Sequence, residues 1–140
     1  MNDLTFPRMA LVRQSFPAPA VNDLESDIAR EVHSLPLKGR IRAGQTVAVT
    51  AGSRRIHQID RTLRSVCDIL KTLELKPFIV PAMGSHGGAT PQGQLQVLAS
   101  YGITEQTMDV PIRSSMDTVC MGRTSLGTSV HTDSFAHAAD

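Results

Sequence analysis

A strand–helix–strand pattern in the middle of the chain limits the possible folds more than any other feature. Thr46–Thr50 is a short run of β-branched and small apolar residues between two glycines, which is typical of a buried strand. Apolar residues then recur at alternating steps of three and four from Ile56 to Leu73, and this period predicts one long amphipathic helix. Lys76–Pro81 predicts a second strand. Two strands joined by such a helix pair in parallel through a right-handed crossover, so we expect an α/β fold with a mostly parallel sheet and flanking helices.

The rest of the chain adds weaker elements around this unit. A chain of 140 residues is the size of one domain. Residues 1–20 contain three prolines and predict an extended arm, which leaves 21–140 for the α/β domain. The further predicted elements are a strand at Met9–Arg13, a helix at Asp23–Ser34 capped by Asn22, a helix at Gln92–Tyr101, strands at Asp109–Arg113 and Thr118–Met121, a hairpin strand at Ser129–Thr132 after a turn at Gly127, and the start of a helix at Ser134–Asp140.

The composition excludes several classes of protein. A net charge of +1 with 4% aromatic residues provides neither the basic surface nor the stacking platform of a nucleic-acid-binding protein. We find no signal peptide and no apolar run of the length that spans a membrane. Two cysteines, Cys67 and Cys120, are too few for a disulfide scaffold, and without a basic neighbour they are expected to be small core residues. These features predict a cytoplasmic protein without nucleic-acid or membrane partners.

The segment Pro81–Thr90 is the most informative part of the sequence. It joins the carboxyl end of a strand to the start of a helix, which is where open α/β sheets bind ligands. Its glycines allow close backbone approach, its hydroxyls and the helix terminus favour an anion, and His86 can transfer protons near neutral pH. The alternative is a flexible loop in which the glycines only form turns. The segment contains neither of the standard glycine-rich nucleotide motifs.

The loop after the first strand lies at the same edge of a parallel sheet. It contains Ser53, Arg54 and Arg55, and either arginine could bind a carboxylate or phosphate through two hydrogen bonds. The alternative is a solvated basic helix start. The polar segment Ile112–Met116 is interpreted as a turn.

The other histidines carry weaker predictions. We expect His33 and His57 to lie at the surface, and the spacing of His131 and His137 disfavours a metal pair, so no metal ligand is predicted within the chain.

Three segments together resemble the N-terminal domain of the lactate racemase family. They are Gly52–Ile56, Pro81–Thr90 with the sequence Pro-Ala-Met-Gly-Ser-His-Gly-Gly-Ala-Thr, and Pro111–Met116. The resemblance extends from about Ile41 to Asp140, and the middle segment is its most specific part.

The resemblance implies a Rossmann-like N-terminal domain of a nickel-dependent isomerase that racemises or epimerises 2-hydroxy acids. Members carry a nickel pincer nucleotide and work by proton-coupled hydride transfer, in which a histidine removes the proton of the substrate hydroxyl. By resemblance, His86 is this catalytic histidine, and an arginine of the first loop orients the substrate or the cofactor; either Arg54 or Arg55 can take this role, with Arg54 slightly favoured because Arg55 can instead begin the helix. The residues placed by resemblance at the cofactor are Ser53, Gly84, Ser85, Gly87, Gly88 and Thr90.

The chain also departs from the family pattern. Lactate racemase itself has Asp-x-Thr-Arg where this chain has Ala51-Gly52-Ser53-Arg54-Arg55, so the resemblance implies the chemistry but not lactate as the substrate. The second catalytic histidine, the lysine that tethers the cofactor, the nickel ligand and the C-terminal domain come later in relatives. We therefore expect 21–140 to be a partial, truncated domain that is inactive alone. The alternative function is a non-catalytic phosphate- or nucleotide-binding module that uses the Gly84–Thr90 loop.

Overall fold

The computed structural model describes residues 9–17, 20–37, 39–54 and 56–140. Residues 9–17 of the predicted arm are exposed and have no regular secondary structure, so the predicted strand at Met9–Arg13 is wrong. The apolar side chains of residues 9–17, such as Leu11 and Phe16, are exposed. Because a strand is stabilised by pairing with another, this segment stays irregular where no partner meets it.

The first helix, α1, spans Leu24–Ser34 and begins one residue later than predicted. Its N-cap is Asp23 and not Asn22: the Asp23 carboxylate accepts hydrogen bonds from the Ser26 backbone N–H at 3.1 Å and the Ser26 hydroxyl at 2.6 Å. An aspartate placed three residues before a serine satisfies two donors at once, which explains why it displaces the neighbouring asparagine from the cap.

The strand–helix–strand prediction is confirmed. Strand β1 (Thr46–Ala51) pairs in parallel with β2 (Lys76–Pro81), and helix α2 (Ile59–Thr72) connects them. The register runs from Thr46 opposite Lys76 to Ala51 opposite Pro81, so the two carboxyl ends lie side by side. Phe78, Ile79 and Val80 of β2 are almost completely buried.

Three short elements follow β2. A 3₁₀ turn covers His86–Ala89, helix α3 covers Pro91–Ser100, and helix α4 covers Glu105–Met108. Helix α3 confirms the predicted helix within one residue at each end.

The predicted strand at Asp109–Arg113 is reduced to a single parallel bridge between Ile112 and Ile79. The Ile79 N–H donates to Pro111 and the Arg113 N–H donates to Ile79. A longer ladder cannot form, because Asp109 has a left-handed φ of 51°, and Pro77, Pro81 and Pro111 lack the N–H groups that the next hydrogen bonds on either side of the bridge would need.

The last part of the chain forms the predicted hairpin. Strand β3 (Thr118–Arg123) pairs antiparallel with β4 (Ser129–Asp133), and helix α5 (Ser134–His137) follows as a single turn. The fold is therefore mixed α/β, with one parallel and one antiparallel strand pair.

The core lies between β1, β2 and the helices α2 to α4. Cys67, Ile79 and Leu98 are fully buried in it. The expectation that both cysteines are core residues holds for Cys67 and is wrong for Cys120, which lies on the exposed hairpin where nothing packs over it. Among the described ranges, no helix has the length and apolar character needed to cross a membrane.

Candidate functional site

The loops that follow β1 and β2 meet at one edge of the sheet, as the parallel topology requires. The Ala82 N–H donates to the Ala51 carbonyl at 2.8 Å, which holds the start of one loop against the end of the other strand. This is the edge at which α/β folds place ligands. It brings Ser53 and Arg54 to His86 across more than thirty positions of sequence.

His86 is half-buried between these two side chains. Its Nδ1 lies 2.5 Å from the Ser53 Oγ, and its Nε2 contacts the Arg54 Nη2. A guanidinium has donors and no acceptor, so Nε2 must be the accepting nitrogen in this contact. This contact assigns the ring proton to Nδ1, which faces the serine oxygen. Nε2 is then the ring nitrogen that can accept a proton from a ligand once an anion takes the Arg54 donors.

The backbone of the first loop is held by Tyr101, which sequence reasoning missed. Its hydroxyl donates to the Ser53 carbonyl at 2.7 Å from the end of α3. Ser53, Arg54 and Tyr101 also line a small cavity of about 30 Å³ beside the loop. The only signal in the sequence is that this single tyrosine directly follows an apolar helix. Nothing in the sequence indicates which carbonyl its hydroxyl reaches.

The structure describes only one of the two arginines of the first loop. Arg54 is exposed and contacts His86, whereas Arg55 lies outside the described residues. Arg113, in the third segment of the resemblance, does not join them. Its guanidinium lies 4.4 Å from the centre of the Phe78 ring and 6.0 Å from that of Phe135, so its charge is used in stacking.

The glycines of the Pro81–Thr90 loop serve two different purposes. Gly87 has a φ of 66° and packs directly on Gly93 of α3, and a Cβ on either residue would collide with the backbone of the other. Gly84 and Gly88 also have positive φ, but a Cβ there would meet nothing within 4 Å. Close packing therefore explains Gly87, while Gly84 and Gly88 leave backbone open to a ligand.

The start of α3 is already capped by the chain itself. The Thr90 hydroxyl accepts from the Gly93 N–H at 3.0 Å and donates to the Gly87 carbonyl at 3.0 Å. Pro91 at the first helical position has no N–H to offer. The helix terminus thus retains less capacity to bind an anion than a free terminus has.

A second missed residue, Gln94, connects two of the loops. It is 4% exposed, its Nε2 donates to the Gly84 carbonyl at 2.9 Å, and its Oε1 lies 3.5 Å from the Ser114 hydroxyl. On a helix of mixed polarity, a glutamine is easily interpreted as a surface residue. Its burial depends on the loops folding over it.

The residues of this site suit part of the implied nickel pincer nucleotide. The exposed Ser85 hydroxyl fits an anionic group because it can donate a hydrogen bond, and Gly84 and Gly88 place no side chain in the way. They do not fit the metal: across the part of the chain that the structure describes, no three His, Cys, Asp or Glu side chains are grouped to hold an ion. Donors for nickel would therefore have to lie outside these residues.

The remaining histidines lie away from His86. His33 and His57 are exposed, as predicted for surface residues. His33 bonds to the Ala29 carbonyl of its own helix at 2.7 Å. His131 on β4 lies 3.4 Å from the Thr118 hydroxyl.

Comparison with known proteins adds no relative: no protein-family model, curated protein or solved structure matches this chain.

Proposed function

We propose that this chain is the substrate-activating N-terminal part of a nickel-dependent 2-hydroxy-acid racemase or epimerase, with His86 as its acid/base and Arg54 as its carboxylate-binding residue. The observation that carries the proposal is the contact between the Arg54 guanidinium and the Nε2 of His86. A cation and a proton acceptor lie side by side there. A 2-hydroxy acid has its hydroxyl on the carbon next to its carboxylate, so it presents the matching pair of groups.

Substrate binding would change the partners of Arg54 and His86. A carboxylate accepts two parallel hydrogen bonds from a guanidinium, and these are stronger than the bond from Arg54 to a neutral imidazole. The substrate therefore takes the Arg54 donors and frees the Nε2 lone pair. The neighbouring hydroxyl then donates to Nε2, and His86 accepts its proton while Nδ1 remains bonded to the Ser53 oxygen.

The nickel pincer nucleotide implied by the resemblance would supply a hydride acceptor when bound. Ser85, Gly84 and Gly88 are the residues of this chain suited to an anionic part of it. The proposal includes the Rossmann-like, mostly parallel sheet of the family, and the β1–β2 pair and the bridge at Ile112 support its parallel part. The free thiols of Cys67 and Cys120 support a reducing, cytoplasmic setting.

The proposal is tested by measuring racemisation with the cofactor-loaded protein that contains this chain. With a panel of 2-hydroxy acids, His86→Gln should lower kcat by at least about 100-fold, the usual contribution of a positioned acid/base group. Arg54→Lys should raise KM by about tenfold or more, because lysine cannot form the paired hydrogen bonds. His33→Gln, on an exposed histidine of α1, is the matched control and should have no effect. Undiminished turnover in the His86 variant would sink the proton-transfer role.

A second experiment uses the chain alone and needs no turnover. NMR titration with glycolate should shift the His86 ring signals more than titration with acetate, because only glycolate has a hydroxyl for Nε2. The nucleotide-binding alternative makes the opposite prediction: ATP should bind in the micromolar range with no cofactor loaded, and glycolate should not shift His86.

A further inference from the structure

A separate cavity of about 450 Å³ is lined in part by the Pro81–Gly84 segment. It opens between the carboxyl ends of β1 and β2 and the β3–β4 hairpin. Thr50, Gly84 and His131 mark its three sides, whereas Ser53, Arg54 and His86 do not line it. Its volume is that of a small-molecule site.

The charges around this cavity are opposite in sign to those beside His86. Two carboxylates line it, Asp117 and Asp133, and none of the lysines and arginines that the structure describes does. A phosphate or carboxylate would be repelled and would lose hydration with no cation to compensate, whereas a positively charged group would be attracted.

Hydrogen bonds hold the Asp133 carboxylate and the Asp117 backbone in place. The Asp133 carboxylate caps α5 by accepting from the Ala136 N–H at 2.9 Å. The Asp117 N–H donates to the Ser115 hydroxyl at 2.9 Å, and its carbonyl accepts from the Ser134 N–H at 3.1 Å. Asp117 is exposed, and within the described ranges its carboxylate forms no ion pair, so no protein cation neutralises its charge at the cavity.

The inner wall combines a fixed polar group with apolar surface. Gln94 lines the cavity while 4% exposed, and its bond to Gly84 holds that wall in position. Pro81 and Met116 also line the cavity and provide accessible hydrocarbon. A ligand that fits this lining has an aliphatic body as well as a charge.

A metal ion suits this cavity less well than an organic cation. Asp117, His131 and Asp133 all line it, but in the described part of the chain they are not grouped closely enough to ligate one ion. An ammonium needs no such convergence, since its three donors can be shared among carboxylate, hydroxyl and carbonyl oxygens.

We propose that this cavity binds a small aliphatic amine, with the ammonium group against the Asp117 carboxylate and the hydrocarbon part against Pro81 and Met116. The site is independent of the proposed acid/base function, because neither Arg54 nor His86 takes part in it.

The test is an NMR titration of the whole chain with n-butylamine, sodium butyrate and 1-butanol at matched ionic strength. We expect saturable shifts of the Asp117 and His131 amides with n-butylamine and none with butyrate. Asp117→Asn should weaken amine binding about three- to fivefold, the size expected for one partly screened charge pair. Asp60→Asn removes the same charge at the start of α2, outside the cavity, and should leave binding unchanged.

Three results would overturn the proposal: butyrate binding as well as the amine, n-butylamine failing to saturate, or both aspartate variants behaving alike. A circular dichroism spectrum of Asp117→Asn checks that the hairpin is intact. If it is not, Thr118→Val, which keeps the Asp117 charge and changes a neighbouring lining residue, must retain amine binding for the proposal to stand.

Discussion

Replacing Gly93 with alanine tests the packing that holds the His86 turn against α3. Gly93 lies in the first turn of α3 with its Cα against the Gly87 carbonyl. A Cβ at this position would collide with that carbonyl and would stand 2.8 Å from the Thr90 Oγ. Both obstacles are fixed, because one is backbone and the other is the helix cap.

Helix propensity and packing predict opposite signs for this substitution. Alanine in place of glycine stabilises a helix by about 1 kcal/mol. Overpacking a close contact costs about 1–3 kcal/mol, and a backbone obstacle belongs at the upper end because it has no rotamer to change. The net expectation is a loss of about 2 kcal/mol in the free energy of unfolding, or roughly 6–8 °C in Tm for a domain of this size.

The glycine pair Gly87 and Gly88 provides a matched control. Their φ values are 66° and 69°, so alanine costs about 1–2 kcal/mol of backbone strain at both positions. Only at Gly87 does the new Cβ also meet Gly93. Gly87→Ala should therefore be less stable than Gly88→Ala by the contact cost alone, again about 1–3 kcal/mol.

Urea unfolding followed by circular dichroism measures all three variants, with thermal melts as a second probe. The double variant Gly87→Ala, Gly93→Ala should be non-additive, because both substitutions disturb the same contact. A Gly93→Ala protein as stable as the parent, or Gly87 and Gly88 variants of equal stability, would refute the packing argument.

Two further predictions concern thiol reactivity and acid stability. Burial raises the pKa of the Cys67 thiol to about 11, whereas Cys120 is exposed. DTNB should therefore label Cys120 within minutes in the folded protein and Cys67 only after unfolding. Rapid labelling of both thiols would contradict the buried position of Cys67. The Lys71 ammonium lies 2.7 Å from the Asp109 carboxylate and lowers the pKa of that carboxyl below its ordinary 3.8. The ion pair therefore stabilises the fold fully above pH 3.8, and this stabilisation is lost as the pH falls through the lowered pKa. The variant Asp109→Asn removes the charge and keeps a residue type that tolerates the left-handed backbone. Urea unfolding should show a lower free energy of unfolding for this variant at pH 7 but not at pH 2. An equal loss at both pH values would point to a cause other than charge.

The parts of the fold predicted well from sequence are those governed by local pattern. The apolar run at Thr46–Thr50 and the regular stripe from Ile56 to Leu73 correspond to β1 and α2, because period and burial point the same way there. The strand predicted at Asp109–Arg113 failed because its register with β2 places Pro77, Pro81 and Pro111 at the positions that would have to donate the next hydrogen bonds. The prolines are visible in the sequence, but the register that brings them together is not.

The candidate site was likewise predictable where topology decides the arrangement and not where tertiary contacts do. Parallel topology alone was enough to place the Ser53 and His86 loops at one edge of the sheet. The supporting contacts of Tyr101 and Gln94 depend on which backbone carbonyl lies within reach, and that is known only once the loops are folded. The packing of Gly87 could not be predicted for a related reason: a close contact with Gly93 and an open ligand cradle both require a glycine, so the sequence does not distinguish them.

The hydrogen bonds that hold the Pro81–Thr90 segment in place also affect ligand binding at His86. The segment is tied to β1 through Ala82, to α3 through the Gly84 carbonyl, and to its own helix cap through Gly87. The histidine therefore stands on a short span between fixed points, and most of its backbone freedom is lost when the protein folds. A ligand arriving at His86 needs to order only side chains, so little of its interaction energy is consumed in arranging the loop.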